Sequence, residues 1–218
     1  MPDPLARRLR VVGNTGSGKT TLARAAAQRL GVAHLELDAV FWAEEWTKRD
    51  LAEAHAIVRE FLASPQARDG WVADGNWNSQ RHGLLDDADA LVWLDYPRRV
   101  VMRRVVARTL RRGLLRQELW HGNRERLRNL LRRDPDENVV LWSWTQHARY
   151  REQYGRLYAA GDVSMVRLRH PSEARRWLES LRPAVPMSPA RGPAGPGSDG
   201  ATDAASGERE ASTSGDAG

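Results

Sequence analysis

The chain has 218 residues, 34 Lys and Arg against 28 Asp and Glu, a formal net charge of +6 and no Cys. That length suits one domain, or one domain and a tail. The absence of Cys excludes disulfides and thiolate metal sites. The positive balance points to anionic partners: nucleotides, phosphorylated metabolites, nucleic acid or an acidic membrane surface. The cations are almost all Arg; the only two Lys are Lys19 and Lys48.

"LRVVG" at 9–13 is a short apolar run that predicts a buried strand. A helix is expected to open near Lys19, with Leu22, Ala25, Ala26 and Leu30 on one face and Gly31 as its C-terminal stop. "HLEL" at 34–37 predicts a second strand ending at Asp38. Asp50 followed by Glu53 is a capping-box pattern. It starts a helix whose apolar stripe is Ala54, Ile57, Val58, Phe61 and Leu62, stopped at Ser64-Pro65. "WVAD" at 71–74 is a third strand, and "ADALVWLD" at 88–95 contains a fourth. Pro97 suits the first turn of a helix running to about Arg112. A helix over about Val139 to Tyr158, a strand at 163–168 and a final helix from Pro171 follow, the last with Ala174, Trp177, Leu178 and Leu181 inward. Alternating strands and helices predict a three-layer α/β fold: a five-stranded parallel sheet with helices on both faces.

Residues 183–218 carry two Arg and five acids, a net of −3, which leaves +9 on residues 1–182. This last segment is built from Pro, Ala, Gly, Ser and Asp. Such a composition cannot bury enough apolar surface to offset its ordering entropy, and the segment is expected to be a disordered tail. No apolar run approaches the roughly 20 residues that span a bilayer. The N-terminal apolar run is too short for a signal peptide. A cytoplasmic protein without membrane contact, monomeric or weakly oligomeric, is the expectation.

"GNTGSGKT" at 13–20 fits G-x-x-x-x-G-K-S/T with Gly13, Gly18, Lys19 and Thr20. A strand ends at its first glycine and a helix starts at its last, as a phosphate-cradling loop requires. Gly16 and Gly18 let backbone N–H groups converge on a phosphate, and the helix terminus favours the anion. Lys19 is a compact ammonium suited to bridging β- and γ-phosphates, a place a planar guanidinium fits poorly. Thr20 offers a hydroxyl to Mg²⁺. The segment Gly13, Asn14, Thr15, Gly16, Ser17, Gly18, Lys19, Thr20 and Thr21 is therefore the expected ATP·Mg²⁺ site. Further along, Arg104, Arg108 and Arg111 or Arg112 share one helix face, opposite Val101 and Val105. Asp38 ends the second strand at the sheet edge where α/β folds bind ligands. Phe41, Trp42 and Trp46 fit either an acceptor wall or plain packing.

The loop at 13–20, "ELDAVFW" at 36–42, "VADGNW" at 72–77 and "LVWLDYPRRVVMRRVVARTLRR" at 91–112 together resemble the nucleoside monophosphate kinase group of P-loop proteins. Within that group the chain looks most like the adenylate-kinase-related topology modulation proteins. The resemblance spans roughly residues 8–182. It implies that Asp74, at the end of the third strand, orients Mg²⁺-bound water, and that Gly75 lets the acceptor approach. Asp95 is the rival for the Asp74 role. Adenylate kinases follow Asp-Gly with an aromatic, a proline and an arginine; here Asn76, Trp77, Asn78, Ser79, Gln80 and Arg81 follow, with no proline and the arginine displaced. Asn76 and Arg81 are carried over as acceptor contacts. In the related shikimate- and gluconate-type kinases an Asp at the position of Asp38 contacts the acceptor hydroxyl. The resemblance further implies that Arg104 packs on adenine and contacts phosphate, that Arg108 contacts the transferring phosphate, and that Arg169 borders the base. Residues 113–137, with six Arg, occupy the place of a helical lid broken near Gly122-Asn123. The implied activity is transfer of the γ-phosphoryl group of ATP to a nucleoside monophosphate or a hydroxylated metabolite. The alternative is an ATP-switched regulator that binds nucleic acid through the basic 98–133 segment.

Overall fold

The computed structural model describes residues 6–182. The expected tail at 183–218 lies outside the described residues. Five strands form one parallel sheet in the order β2-β3-β1-β4-β5: β1 (Arg8–Gly13), β2 (Ala33–Glu36), β3 (Trp71–Asp74), β4 (Ala90–Leu94) and β5 (Met165–Leu168). The central three are near-continuous apolar runs because both faces of the sheet are covered. Val11, Val72 and Val92 point to one face, where Leu22, Ala26 and Trp177 meet them. Val12, Leu91 and Trp93 point to the other, under Tyr154. Trp71, Ala73 and Leu35 join the layer of Phe41, Ala54 and Val58.

Six α-helices cover the sheet: α1 (Lys19–Leu30), α2 (Leu37–Phe41), α3 (Leu51–Ala63), α4 (Arg98–Leu114), α5 (Val139–Ala160) and α6 (Pro171–Ser180). Their ends follow local chemistry. Asp50 accepts from the N–H groups of Ala52 and Glu53 and so caps α3. Asn138 does the same for α5 through Val140 and Leu141. Gly31 stops α1 in the left-handed conformation. The inward face of α1 is Leu22, Ala23, Ala26, Ala27 and Leu30, so Ala25 is only partly covered and the stripe is shifted from its expected line. Among the described residues no helix is long and apolar enough to cross a membrane.

Two elements differ from expectation. The second strand stops at Glu36, and Asp38 lies on the short helix α2. Leu37, Val40 and Phe41 all turn into the core there, which a strand could not achieve with that spacing. Beyond the end of α4, residues 115–137 hold only 3₁₀ helices, at 120–122 and 127–131. Around the first, Glu118 and Arg124 form an isolated antiparallel bridge, so the segment doubles back as a hairpin-like loop.

Gly16 fixes the loop between β1 and α1 against α4. Its φ is +85°, and a Cβ there would stand 2.9 Å from the Val105 Cβ and 3.1 Å from the Val101 carbonyl oxygen. Gly16→Ala should therefore lower unfolding stability by about 1–3 kcal/mol, read from urea melts. An unchanged midpoint would contradict this packing.

Candidate functional site

Parallel strand order brings the carboxyl ends of β1, β2 and β3 to one edge, where α/β folds form their ligand crevice. The loop after β1 sits at that edge and is tied down from three sides. Asn14 donates through Nδ2 to the Ser143 carbonyl at 2.8 Å, and Ser143 Oγ donates to the Thr15 carbonyl at 3.0 Å, which joins the loop to α5. Arg104 Nη1 donates to the Ser17 carbonyl at 2.9 Å, which joins it to α4. Asn76 donates to the Gly13 carbonyl at 3.0 Å and accepts from the Gly13 N–H at 3.2 Å. Behind Asn76 a chain of bonds continues: Tyr154 OH to Asn76 Oδ1 at 3.0 Å, Asn78 Nδ2 to Tyr154 OH at 2.9 Å, and Arg10 Nη2 to Asn78 Oδ1 at 2.9 Å. Burial pushes the Tyr154 phenol up to about 12, so its proton stays in the network at neutral pH.

Lys19, at the first turn of α1, points back over the loop and donates to the Asn14 carbonyl at 3.3 Å. Burial lowers its pKa, and Asp38, Asp74 and Glu36 pull it back up. Asp38 lines the same cleft as Lys19, and the two charges act on each other. Burial raises its pKa, opposed by Lys19 and by the Trp77 indole, which donates to Asp38 Oδ1 at 2.7 Å. Thr20 Oγ1 lies 2.7 Å from Asp74 Oδ1 and 3.1 Å from Glu36 Oε1. Glu36 and Asp74 are neighbours in the β2–β3 ladder. Burial, then the Asp74 charge, raises the Glu36 pKa. Among the described residues no group of three His, Cys, Asp or Glu forms a metal cage. The donors are instead one hydroxyl and two carboxylates. This all-oxygen set fits Mg²⁺, which is commonly held by one or two carboxylates together with substrate phosphates.

The cleft above this edge is lined by Thr15 to Thr21, Glu36, Asp38, Arg104, Arg108 and the lid segment. Arg108 carries a pKa lowered by burial and by Arg112, with Glu125 Oε1 4.0 Å away. Its Nε is buried and has no partner among the described residues. Arg104 also lies over the Tyr96 ring, 5.3 Å from its centroid.

Several sequence-expected residues are engaged elsewhere. Asn76 has both amide atoms on Gly13, so it braces the loop. Gly75 holds a close approach to Leu37, whose Cβ would meet a Cβ at 2.9 Å. Arg81 is buried and donates to Asp86 Oδ1 at 2.5 Å and to the Leu84 carbonyl, away from the cleft. Arg169 is exposed and does not line the cleft; Pro171, Ala174, Arg175 and Leu178 of α6 do. Asp95 accepts Arg167 at 2.5 Å and Arg151 at 3.1 Å, so its charge is already compensated on the far side of β4.

The sequence reading missed Glu36 and His34. His34 Nε2 lies 2.8 Å from Asp74 Oδ2. Positions 34 and 36 share one face of β2 by the strand period of two, and that signal pointed at the Asp74 neighbour.

No protein-family model matches the chain. The uncharacterized protein YqaC of Bacillus subtilis (strain 168) is 25% identical over 109 residues, half of this chain. That match spans 60% of the relative's length. Among solved structures, a shikimate kinase from Acinetobacter baumannii in complex with shikimate aligns with a TM-score of 0.49 and 17% identity, over 81% of this chain and 90% of that one. A gluconokinase from Sinorhizobium meliloti 1021 aligns with a TM-score of 0.46 and 22% identity, over 81% and 92%. A shikimate kinase from Bacteroides thetaiotaomicron aligns with a TM-score of 0.45 and 15% identity, over 80% and 95%.

The bracing role of Asn76 is testable. Asn76→Ala leaves the Gly13 N–H and carbonyl and the Tyr154 hydroxyl short of partners. Stability should fall by about 1–3 kcal/mol with an unchanged denaturant slope. A variant as stable as the parent would refute that role.

Proposed function

We propose that the protein is a P-loop phosphotransferase that moves the γ-phosphoryl group of ATP to a hydroxyl of a small acceptor. One observation carries this reading: Asp38, half-buried and held by the Trp77 indole at 2.7 Å, lines the same cleft as Lys19 and the 15–21 loop, near enough for the two charges to act on each other. A cradle alone suits any triphosphate-binding protein. A half-buried carboxylate in the same cleft is placed to receive the proton of an attacking hydroxyl.

In this reading the backbone N–H groups of 15–20 and the ammonium of Lys19 hold the β- and γ-phosphates. Thr20, Asp74 and Glu36 would hold Mg²⁺, which would neutralise charge on the phosphate oxygens. Asp38 accepts a hydrogen bond from the acceptor hydroxyl and orients its oxygen. That oxygen bonds to the γ-phosphorus, the bond from phosphorus to the β,γ-bridging oxygen breaks, the proton passes to Asp38 and ADP leaves. Arg104 and Arg108 spread positive charge over the equatorial oxygens. The 113–137 segment closes the cleft and excludes water, which would otherwise compete as acceptor.

Cytoplasmic location, a place near the topology modulation proteins and a separate tail from 183 belong to the same proposal, supported by sequence. The nucleic-acid reading is weaker. Arg104, Arg108, Arg111 and Arg112 line the cleft, and Arg112 pairs with Glu125 at 2.8 Å.

Lys19→Ala should lower turnover by about 10²-fold or more, followed as ADP release in the presence of acceptor; near-parental turnover would remove the assigned role. The pH profile gives a second check. Burial favours the protonated form of Asp38, so the acid limb of kcat/KM should fall off above the ordinary Asp value of 3.8. Activity is lost as pH drops through that raised value, because only the ionised carboxylate accepts the proton. Glu36 shifts in the same direction, so the limb belongs to the cluster. Asp38→Asn should cost about 10²–10⁴ in kcat and flatten the limb. An acid limb at or below 3.8 in the parent would contradict the placement.

A further inference from the structure

Four indoles form an arc over Asp38. Trp77 stacks on Phe41 with ring centroids 4.7 Å apart, and its N–H is held by Asp38. Trp42 meets Trp77 edge-on at 5.5 Å, Trp46 meets Trp42 at 6.0 Å, and Trp120 of the lid meets Trp46 at 6.3 Å. The arc thus runs from the Asp38 carboxylate to the 118–124 loop. Phe41 is buried packing, whereas Trp42, Trp46, Trp77 and Trp120 all line the cleft, and Trp46 is 36% exposed.

The lid indole is delivered by a specific latch. Asn123, 4% exposed, accepts from the Trp46 N–H at 2.9 Å and donates to the Ala43 carbonyl at 2.8 Å. His121 Nε2 lies 2.8 Å from the Ala39 carbonyl. The 42–48 loop and the 118–124 loop, each closed by its own antiparallel bridge, are therefore joined over the acceptor side.

We infer that this aromatic collar, completed by Trp120, selects an uncharged hydroxylated ring compound, a sugar or a nucleoside, as the acceptor. This deepens the phosphotransferase reading and rests on it. The walls built by 36–48 and 76–80 offer the cleft three tryptophans, joined by Trp120, and the neutral polar groups of Asn78, Ser79 and Gln80. Their one cleft-lining cation, Lys48, is exposed at the rim, where Glu45 also stands. Arg49 is held by the Val40 carbonyl at 2.7 Å and by Glu53, and Arg81 points away. A carboxylate or phosphate on the acceptor would find no buried cation on these walls. It would meet a like-charge cost beside Asp38 and Glu36, while the cations near Asp38, Lys19 and Arg108, are taken up by the donor phosphates in the phosphotransferase reading. A hydroxylated ring lays its apolar faces on the indoles and turns a hydroxyl to Asp38. Aromatic walls with a few fixed polar groups are the usual make-up of a small-molecule site.

The test measures ADP release by the full chain with ATP·Mg²⁺ and four acceptor groups: neutral monosaccharides, nucleosides, hydroxylated carboxylic acids and nucleoside monophosphates. Stimulation of at least about tenfold by a monosaccharide or a nucleoside is expected, and the responding group says which. For that compound, Trp46→Ala should raise the acceptor KM by about five- to tenfold with a smaller change in kcat, and Trp46→Phe should restore most of it. Stimulation by acids or monophosphates alone overturns the inference. So does a flat response to all four groups by a chain that binds ATP·Mg²⁺ in equilibrium dialysis, or an unmoved KM in Trp46→Ala. A chain that binds no ATP·Mg²⁺ fails at the phosphotransferase reading instead and takes this inference with it.

Discussion

The molecule is organised around one costly placement: the half-buried Lys19 ammonium at the sheet edge, near the carboxylates of Asp38, Asp74 and Glu36. Burial alone works against both signs of charge, lowering the Lys19 pKa and raising those of Asp38 and Glu36. The groups persist because the fold gives them little choice. Glu36 and Asp74 are neighbours in the β2–β3 ladder, Lys19 opens α1, and the loop between is braced by Asn14, Asn76 and Arg104. Such a cluster is poor for stability and well suited to an incoming polyanion and its cation, which would balance it.

Much of this was legible from residue order. The strands announced themselves as apolar runs, because a parallel sheet covered on both faces leaves no polar side. The loop at 13–20 was legible because its glycines and lysine are demanded by backbone geometry and charge. Caps were legible where a side chain bonds its own neighbours, as at Asp50 and Gly31. The short helix holding Asp38 was not. Five residues are too few for a 3.6-residue period to appear, and what bends the chain there is packing of Leu37, Val40 and Phe41 into a distant layer.

Arginine partners were the least legible feature. A long guanidinium side chain chooses among carboxylates and carbonyls brought near by the fold. Arg81 goes to Asp86 and Leu84, Arg167 and Arg151 to Asp95, and Arg112 to Glu125. Position in sequence could not separate these from Arg104, which reaches the loop. The same holds for the tryptophans. Phe41 and Trp42 are adjacent, yet one fills the core and the other faces the cleft. The arc they begin closes only through Asn123 and Trp120, some 80 residues away by contact. This indole-lined wall is therefore a tertiary feature, built by a loop after α2 and a loop after α4 that meet across the cleft.

The most direct test of the central claim is calorimetry of ATP·Mg²⁺ binding to the parent protein and to Lys19→Ala at matched pH and salt. The account predicts saturable single-site heat in the parent and loss of most of that affinity in the variant. No heat in the parent, or equal affinity in both, would contradict it.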